Sequence, residues 1–175
     1  MRSIIILIIC FILLSAFSDQ TANYRESQYI PVLMSRTELG KSIRYTDPRP
    51  LTQIGKIYTK DDYIFISQKY KGIHVIDNHD PANPVNAGFI VVPGCLDMAI
   101  KGNSMYIDNA TDLVTVDLSV ITSLQVTGRV QSVFPELLPP DLTYLPEVYK
   151  LSNRPENTVI VEWRKTDESV VYPID

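Results

Sequence analysis

The sequence has little cysteine and little histidine, and both shortages limit the chemistry open to the protein. Its 175 residues include two cysteines, Cys10 and Cys95, and two histidines, His74 and His79. Because Cys10 lies in a segment that we expect to be removed on export, Cys95 would be left alone and no internal disulfide could form. The apolar neighbours of Cys95 predict a buried, unreactive thiol.

Catalytic and cofactor motifs are also missing. The sequence contains no phosphate-binding loop, no paired-glycine nucleotide fingerprint and no G-x-S-x-G. The two histidines are five residues apart and lack the spacing of a zinc site, so each is interpreted as a strand or surface residue. Turn-associated acids could add calcium ligands, but they match no EF-hand loop, and turn capping is the favoured interpretation. These acids are Asp77, Asp80, Asp108, Asp112 and Asp117. We predict no cofactor, no bound metal and no enzyme activity.

Excess charge and long helical periodicity are absent as well. A formal net charge of -4 provides no attraction to nucleic acid or to an anionic membrane surface. The best helical candidate begins at Ser35, which could cap a short helix, with Glu38 completing a capping box. Arg129 and Arg164 flank apolar strands and are interpreted as surface residues.

The single long apolar run lies at the N-terminus. Residues 4–14 are apolar, Arg2 precedes them, and the small residues Ala16 and Ser18 follow. This pattern predicts a secretory signal peptide, residues 1–18, cleaved after Ser18. The run is shorter than the ~20 residues that span a bilayer, so a retained anchor is less favoured. Lipidation of Cys10 is also less favoured, because apolar residues continue beyond it. We expect export to the periplasm, cell surface or extracellular space, with no integral membrane segment after cleavage.

What the sequence does contain is a repeated β pattern over residues 54–134. Two units, 54–94 and 95–134, each contain four short apolar runs separated by turn residues. Asp117 follows Asp77 by 40 residues, and Lys101 follows Lys60 by 41. A period of about forty residues with strand-type runs is typical of propeller blades. The predicted fold is all-β, with two four-stranded blade-like repeats of an incomplete β-propeller.

Particular turn and loop residues mark the two repeats. The landmarks are Gly72, Asp77, Pro81, Pro84, Gly102 and Asp117. We expect the aspartate that ends each central strand to accept hydrogen bonds from backbone N–H groups of the following loop. The two prolines would hold that loop extended as it crosses to the outer strand.

The strands and loops of these repeats resemble a known family. "GIHVIDNHDPANPV" and "DLVTVDLS" are similar to the LVIVD repeat, and the resemblance covers residues 54–130. It extends to longer Bacteroidetes-type members, whose leader before the first repeat is similar to "PVLMSRTEL" of residues 31–39. The resemblance implies an exported, often surface-associated β-propeller and says little about activity. The second repeat departs from the pattern because it lacks the "DPANP" loop.

The flanking segments are predicted to be less regular. Residues 19–53 form a polar leader, and residues 135–156 form a proline-rich connection. Residues 157–175 are predicted to form a terminal strand or hairpin, in which Val170–Tyr172 could pair with Thr158–Trp163. Aromatic side chains could line a glycan or peptide groove, although core packing is the favoured interpretation. These aromatics are Tyr58, Tyr63, Phe65, Tyr70, Tyr106 and Trp163.

Three hypotheses for function follow. The first is an exported, non-catalytic repeat protein that binds a protein or glycan partner at the cell envelope. The second is a hydrolase or metal-dependent enzyme with its site at a propeller channel, because fold alone does not decide function. The third is a shortened relative that needs another chain. Two blades cannot close a ring and would expose sheet edges and an apolar face, so we expect self-association or pairing.

Overall fold

A computed structural model of the chain describes residues 24–173, which form antiparallel sheets. Strands account for 52% of the residues and helix for 5%, which confirms the all-β class. The predicted signal peptide and Cys10 lie outside the described residues. The strands are β1 Tyr24–Ser35, β2 Arg44–Thr46, β3 Ile54–Lys60, β4 Tyr63–Gln68, β5 Gly72–Asp77, β6 Val85–Val91, β7 Met98–Lys101, β8 Ser104–Asn109, β9 Asp112–Asp117, β10 Gln125–Val130 and β11 Thr158–Pro173. The helices are α1 Arg36–Gly40 and a 3-10 turn, Glu147–Tyr149.

Within residues 24–173, no helix has the length and apolar character required to cross a membrane.

The strands form three sheets. The first sheet has the order β2-β6-β5-β4-β3, and the second sheet has the order β10-β9-β8-β7. The strands β1 and β11 form a separate two-stranded ribbon. In each of the first two sheets, four consecutive strands lie side by side in chain order, since short turns favour antiparallel neighbours. The four-strand units therefore coincide with the two repeats of the sequence.

The repeat extends to the pairing register and to the turns. Phe65 pairs with Val75 in the first sheet, and Tyr106 pairs with Thr115 in the second. The β3–β4 and β7–β8 turns both contain a residue of positive φ, 50° at Asp61 and 58° at Gly102. The β4–β5 and β8–β9 turns do the same, with φ of 65° at Tyr70 and 58° at Ala110.

The aspartates that end β5 and β9 form the predicted turns. The Asp77 carboxylate accepts a hydrogen bond from the His79 backbone N–H at 3.0 Å. The Asp117 carboxylate accepts one from the Ser119 N–H at 2.9 Å. The pKa of Asp77 is held below its usual range by hydrogen bonds from the His79 backbone and side chain, and that of Asp117 by hydrogen bonds from the Ser119 side chain and backbone. The capping box of α1 is also confirmed, because Ser35 Oγ accepts from the Glu38 N–H and Glu38 Oε2 accepts from the Ser35 N–H.

Gly72, at the start of β5, permits a close approach of two strands. Its φ is 142°, and a Cβ placed there would lie 2.0 Å from the Ile90 carbonyl oxygen. Gly102 has a φ of 58°, but a Cβ there would meet no atom within 4 Å. Glycine is therefore favoured at position 72 both by the positive φ and by the close Ile90 carbonyl, whereas at position 102 it is favoured by the positive φ alone.

We expect Gly72→Ala to lower the free energy of unfolding by about 3 kcal/mol, because strain and a backbone clash add. The matched change Gly102→Ala should cost about 1 kcal/mol, the penalty of a left-handed conformation alone. Urea unfolding of both variants measures the difference. Equal losses would mean that the first sheet shifts to accommodate the new methyl group.

The main core lies between the first and second sheets, which pack face to face. Its buried residues are Phe65, Ile73, Val75, Ile90, Val92, Cys95, Met98, Met105, Ile107, Val114, Val116 and Leu118. Cys95 is fully buried, as predicted, and burial raises the pKa of its thiol. The thiol is therefore held in its unreactive protonated form.

The ribbon is buried on both faces over residues 159–163 of β11. One face, with Val159 and Val161, packs on Leu39 and Ala110. The other, with Ile160 and Trp163, packs on Tyr70 and Leu137, among other residues. The expectation that Val170–Tyr172 could pair with Thr158–Trp163 is wrong, because both segments belong to β11. Their partner is β1, which forms within the segment expected as a leader.

Candidate functional site

Two adjoining cavities form a groove at one end of the sheets, beside the β4–β5 turn. The larger has a volume of about 420 Å³ and its neighbour about 340 Å³. Both are lined by Lys69, Tyr70 and Pro140, so we name the pair the Tyr70 groove. Cavities of this size are in the range of small-ligand sites.

Tyr70 is held in place by its backbone. Its N–H donates to the Cys95 carbonyl at 2.7 Å, and its own carbonyl accepts from the Gly94 N–H at 2.9 Å. These bonds fix the turn to the link between the first and second sheets. Tyr70 is 9% exposed, and the Lys69 ammonium lies 4.9 Å from its ring centroid. The positive φ of Tyr70 is unusual for a bulky residue, and such conformations are often found at functional sites.

The proline-rich connection forms the opposite wall. Phe134 and Leu138 are 38% and 43% exposed, whereas Leu137 is buried. The Trp163 indole N–H donates to the Leu137 carbonyl at 2.9 Å, which attaches this wall to the ribbon. The backbone N–H of Phe134 donates to the Thr111 carbonyl at 3.0 Å. The wall is therefore attached at both ends and keeps apolar surface open to the groove.

Two carboxyl groups lie in the larger cavity. Burial raises the pKa of the Asp108 carboxyl, which accepts hydrogen bonds from the Leu96 and Asp97 backbone N–H groups. One Glu136 oxygen pairs with Arg154 at 2.5 Å. The other, Glu136 Oε2, is buried and has no hydrogen-bond partner among residues 24–173. An unsatisfied buried acceptor of this kind has an energetic cost in the folded protein.

The smaller cavity has a charged rim. Lys69, Arg164 and Lys165 supply positive charge, and Glu162 lies among them. Arg164 is 62% exposed, as expected of a surface residue. Glu162 is paired with Lys71 at 2.6 Å. The groove thus combines aromatic and proline surface with charged side chains of both signs, a combination that suits ligand binding.

The two histidines do not converge. His74 is fully buried in β5, its ring centroid lies 4.8 Å from that of Phe89, and neither ring nitrogen has a partner within the described part of the chain. His79 is exposed, with its ring nitrogens 3.0 Å from Asp77 and 3.2 Å from Asp62. Residues 24–173 contain no group of three or more metal-ligating side chains that could hold an ion.

The burial of His74 predicts a pH dependence of stability. Burial, assisted by Arg49, lowers the pKa of His74. Below about pH 6.5 the unfolded chain takes up a proton that the folded chain resists, so stability falls as pH falls, by about 1 kcal/mol per pH unit. We expect His74→Phe to remove this loss between pH 7.5 and 5.5 in urea unfolding, while His79→Ala retains it. An unchanged slope in His74→Phe would refute the assignment.

The interpretation of Arg129 as a surface residue is wrong. Its side chain is 16% exposed and donates to Asp112 at 2.8 Å and to Asn109 at 2.9 Å. Asp112 is not a simple turn acid either, because Arg36 contacts it at 2.6 Å from 76 positions away. Sequence alone did not indicate this pairing, since the partner lies in a segment expected to be a leader.

The aromatic residues divide between core and surface. Phe65 and Trp163 are buried, as predicted for core packing. Tyr58 and Tyr106 are 36% and 38% exposed. Tyr70 is buried yet lines the groove. Phe134 was not identified from the sequence as a groove residue. Its position as an aromatic residue directly before a proline-rich segment is the signal that could have indicated this role.

Comparisons of the chain with protein-family models, with curated proteins and with solved structures found no significant match.

Proposed function

We propose that this chain is an exported, non-catalytic repeat protein of the LVIVD type. Its two four-stranded units are blade-like units of β-propeller type, which bind a protein or glycan partner at the cell envelope through the Tyr70 groove. The resemblance of the repeats and the apolar N-terminal run support the class and the compartment. The groove supports the binding role.

The observation that carries the binding role is the exposed apolar surface on a fixed wall. Phe134 and Leu138 remain open although their neighbour Leu137 is anchored by Trp163. Fixed aromatic and aliphatic surface lowers the entropic cost of binding, so it serves as a recognition surface for peptides and sugar rings.

The test compares the full chain with two variants. The double variant Phe134→Ala/Leu138→Ala removes the open surface, and Leu151→Ala, at a residue 69% exposed and outside the groove lining, is the matched control. Immobilised proteins are exposed to an envelope extract and to a glycan array. We expect binding by the wild type and the control, and a loss of about tenfold or more in the double variant. Equal binding by all three would exclude the groove as the binding site.

A further inference from the structure

The outward face of the second sheet is a sheet surface that residues 24–173 leave open. Tyr106, Leu113 and Val130 lie on it, as shown by their pairing partners across β8, β9 and β10. Tyr106 is 38% exposed, Val130 is 58% exposed, and Leu113 is half-buried. Leu113 pairs with Val130 and is a diagonal neighbour of Tyr106, so the three form one contiguous apolar patch, which is a feature of interaction surfaces.

The first sheet buries the equivalent face. Its Phe65, Ile73 and Ile90 are 0% exposed and lie in the core between the two sheets. The repeat offsets of 40 and 41 residues relate Phe65 to Tyr106, Ile73 to Leu113 and Ile90 to Val130. The pairing is also equivalent, since Ile73 pairs with Ile90 and Leu113 pairs with Val130. The second sheet therefore exposes the same face that the first sheet buries.

The converse holds for the other side of the interface. The second sheet contributes Met98, Met105 and Ile107 to the core, each at most 3% exposed. Their equivalents in the first sheet, at an offset of 41, lie on its outward face. These equivalents are Ile57, which is 62% exposed, with Ile64 and Ile66, which are half-buried. The two sheets therefore pack head to tail. Through the repeat, each outward face is equivalent to one of the two faces that form the interface inside the molecule.

A crossing segment covers part of the outward face of the first sheet. Residues 47–53 run from β2 at one edge to β3 at the other. The Arg49 guanidinium lies 4.5 Å from the Phe89 ring centroid, and the Arg49 carbonyl accepts a hydrogen bond from Asn86 at 2.8 Å. This segment covers the β5–β6 half of the face. The β3–β4 half, with Ile57, stays exposed.

We propose that copies of this chain associate head to tail. The outward face of the second sheet of one copy packs on the β3–β4 half of the first sheet of the next copy. The occupant is a second copy because this one chain carries both halves of the interface. A contact between two different surfaces is heterologous, so it produces a ring or an open chain of copies instead of a closed face-to-face dimer.

The experiment uses the full chain, purified with its N-terminus in the form that the cell produces and followed by sedimentation velocity over a range of concentrations. Tyr106→Lys alters one face, and Ile57→Glu alters the other. The control Leu151→Glu introduces charge at an exposed apolar residue that belongs to none of the strands. Circular dichroism melting checks that each variant is folded. We expect concentration-dependent association of the wild type and control, and a weakening of about tenfold or more in each single variant.

Mixing the two variants distinguishes this arrangement from others. Each retains one intact face, so an equimolar mixture should restore association, limited to a heterodimer. A wild type that sediments as a monomer at every concentration would overturn the proposal. So would association that Tyr106→Lys abolishes and Ile57→Glu leaves intact, which is the behaviour of a face-to-face dimer. A mixture that stays monomeric would also overturn it. Because none of the altered residues lines the Tyr70 groove, failure here leaves the binding role untouched.

Discussion

Replacing Asp112 with alanine is expected to lower the free energy of unfolding by about 3–5 kcal/mol, because two partly buried arginines would face each other without a counter-charge. The Asp112 side chain is 2% exposed and lies 2.6 Å from Arg36 and 2.8 Å from Arg129. Ser132 adds a backbone N–H at 3.2 Å. These contacts join α1, the second sheet and the loop after β10, so their loss should affect all three. Urea unfolding measures the change.

The pKa of Asp112 agrees with a stabilising pair. Burial alone would raise it, but hydrogen bonds from Arg129, Ser132 and Arg36 outweigh burial and leave the pKa below its usual range. A lowered pKa in the folded state means that the stabilisation is present above the unfolded pKa of about 3.9. It is lost as pH falls through the lower folded value.

Two further variants test the cause of the loss. Lys56→Ala removes the exposed ion pair with Asp97, in which the side chains are 61% and 52% exposed, and should change stability by less than about 1 kcal/mol. Arg129→Met should cost less stability in the Asp112→Ala background than in the wild type, because in that background Arg129 has already lost its carboxylate partner. Additive losses would show that the charges do not interact.

Trp163→Ala is the second change with a large expected effect, a loss of about 3–5 kcal/mol. Trp163 is 4% exposed, its ring centroid lies 5.7 Å from that of Tyr149, and its indole N–H donates to the Leu137 carbonyl at 2.9 Å. The variant removes core volume and detaches the wall of the Tyr70 groove. We therefore expect partner binding to weaken as well, measured on protein that circular dichroism shows to be folded.

Trp163→Phe separates packing from the hydrogen bond. It keeps an aromatic ring but leaves the Leu137 carbonyl without its donor, so a loss of about 1–3 kcal/mol is expected. Val171→Ala, at a residue 53% exposed in the same strand, should change stability by less than about 0.5 kcal/mol. A Trp163→Ala loss no larger than that of Val171→Ala would contradict the role assigned to the indole.

Local features of the fold were predictable from the sequence. The strands of the two repeats, the carboxylate turns at Asp77 and Asp117 and the capping box at Ser35 all depend on residues within a few positions of one another. Strand periodicity and turn chemistry are short-range properties, so a single sequence contains enough information to predict them.

The ribbon and the groove were not predictable in the same way. Ser27 pairs with Val170, which is 143 residues away, and neither segment has a sequence pattern that identifies the other as its pairing partner. Phe134 and Tyr70 became one site only because the ribbon brings the proline-rich connection against the β4–β5 turn. Pairings of this kind depend on which buried surfaces fit together, which local patterns do not encode.

By itself the sequence determined an all-β chain with two repeats of about forty residues. The alternation of apolar and polar residues, the turn residues and the repeat spacing can all be recognised directly in the sequence. The tertiary structure alone decided three things. These are the pairing of β1 with β11, the burial of Asp112 between two arginines, and the head-to-tail packing that leaves one apolar face open at each end. The physical reason is that all three arise from contacts between distant segments, where burial and shape, instead of neighbouring residues, determine the lowest free energy.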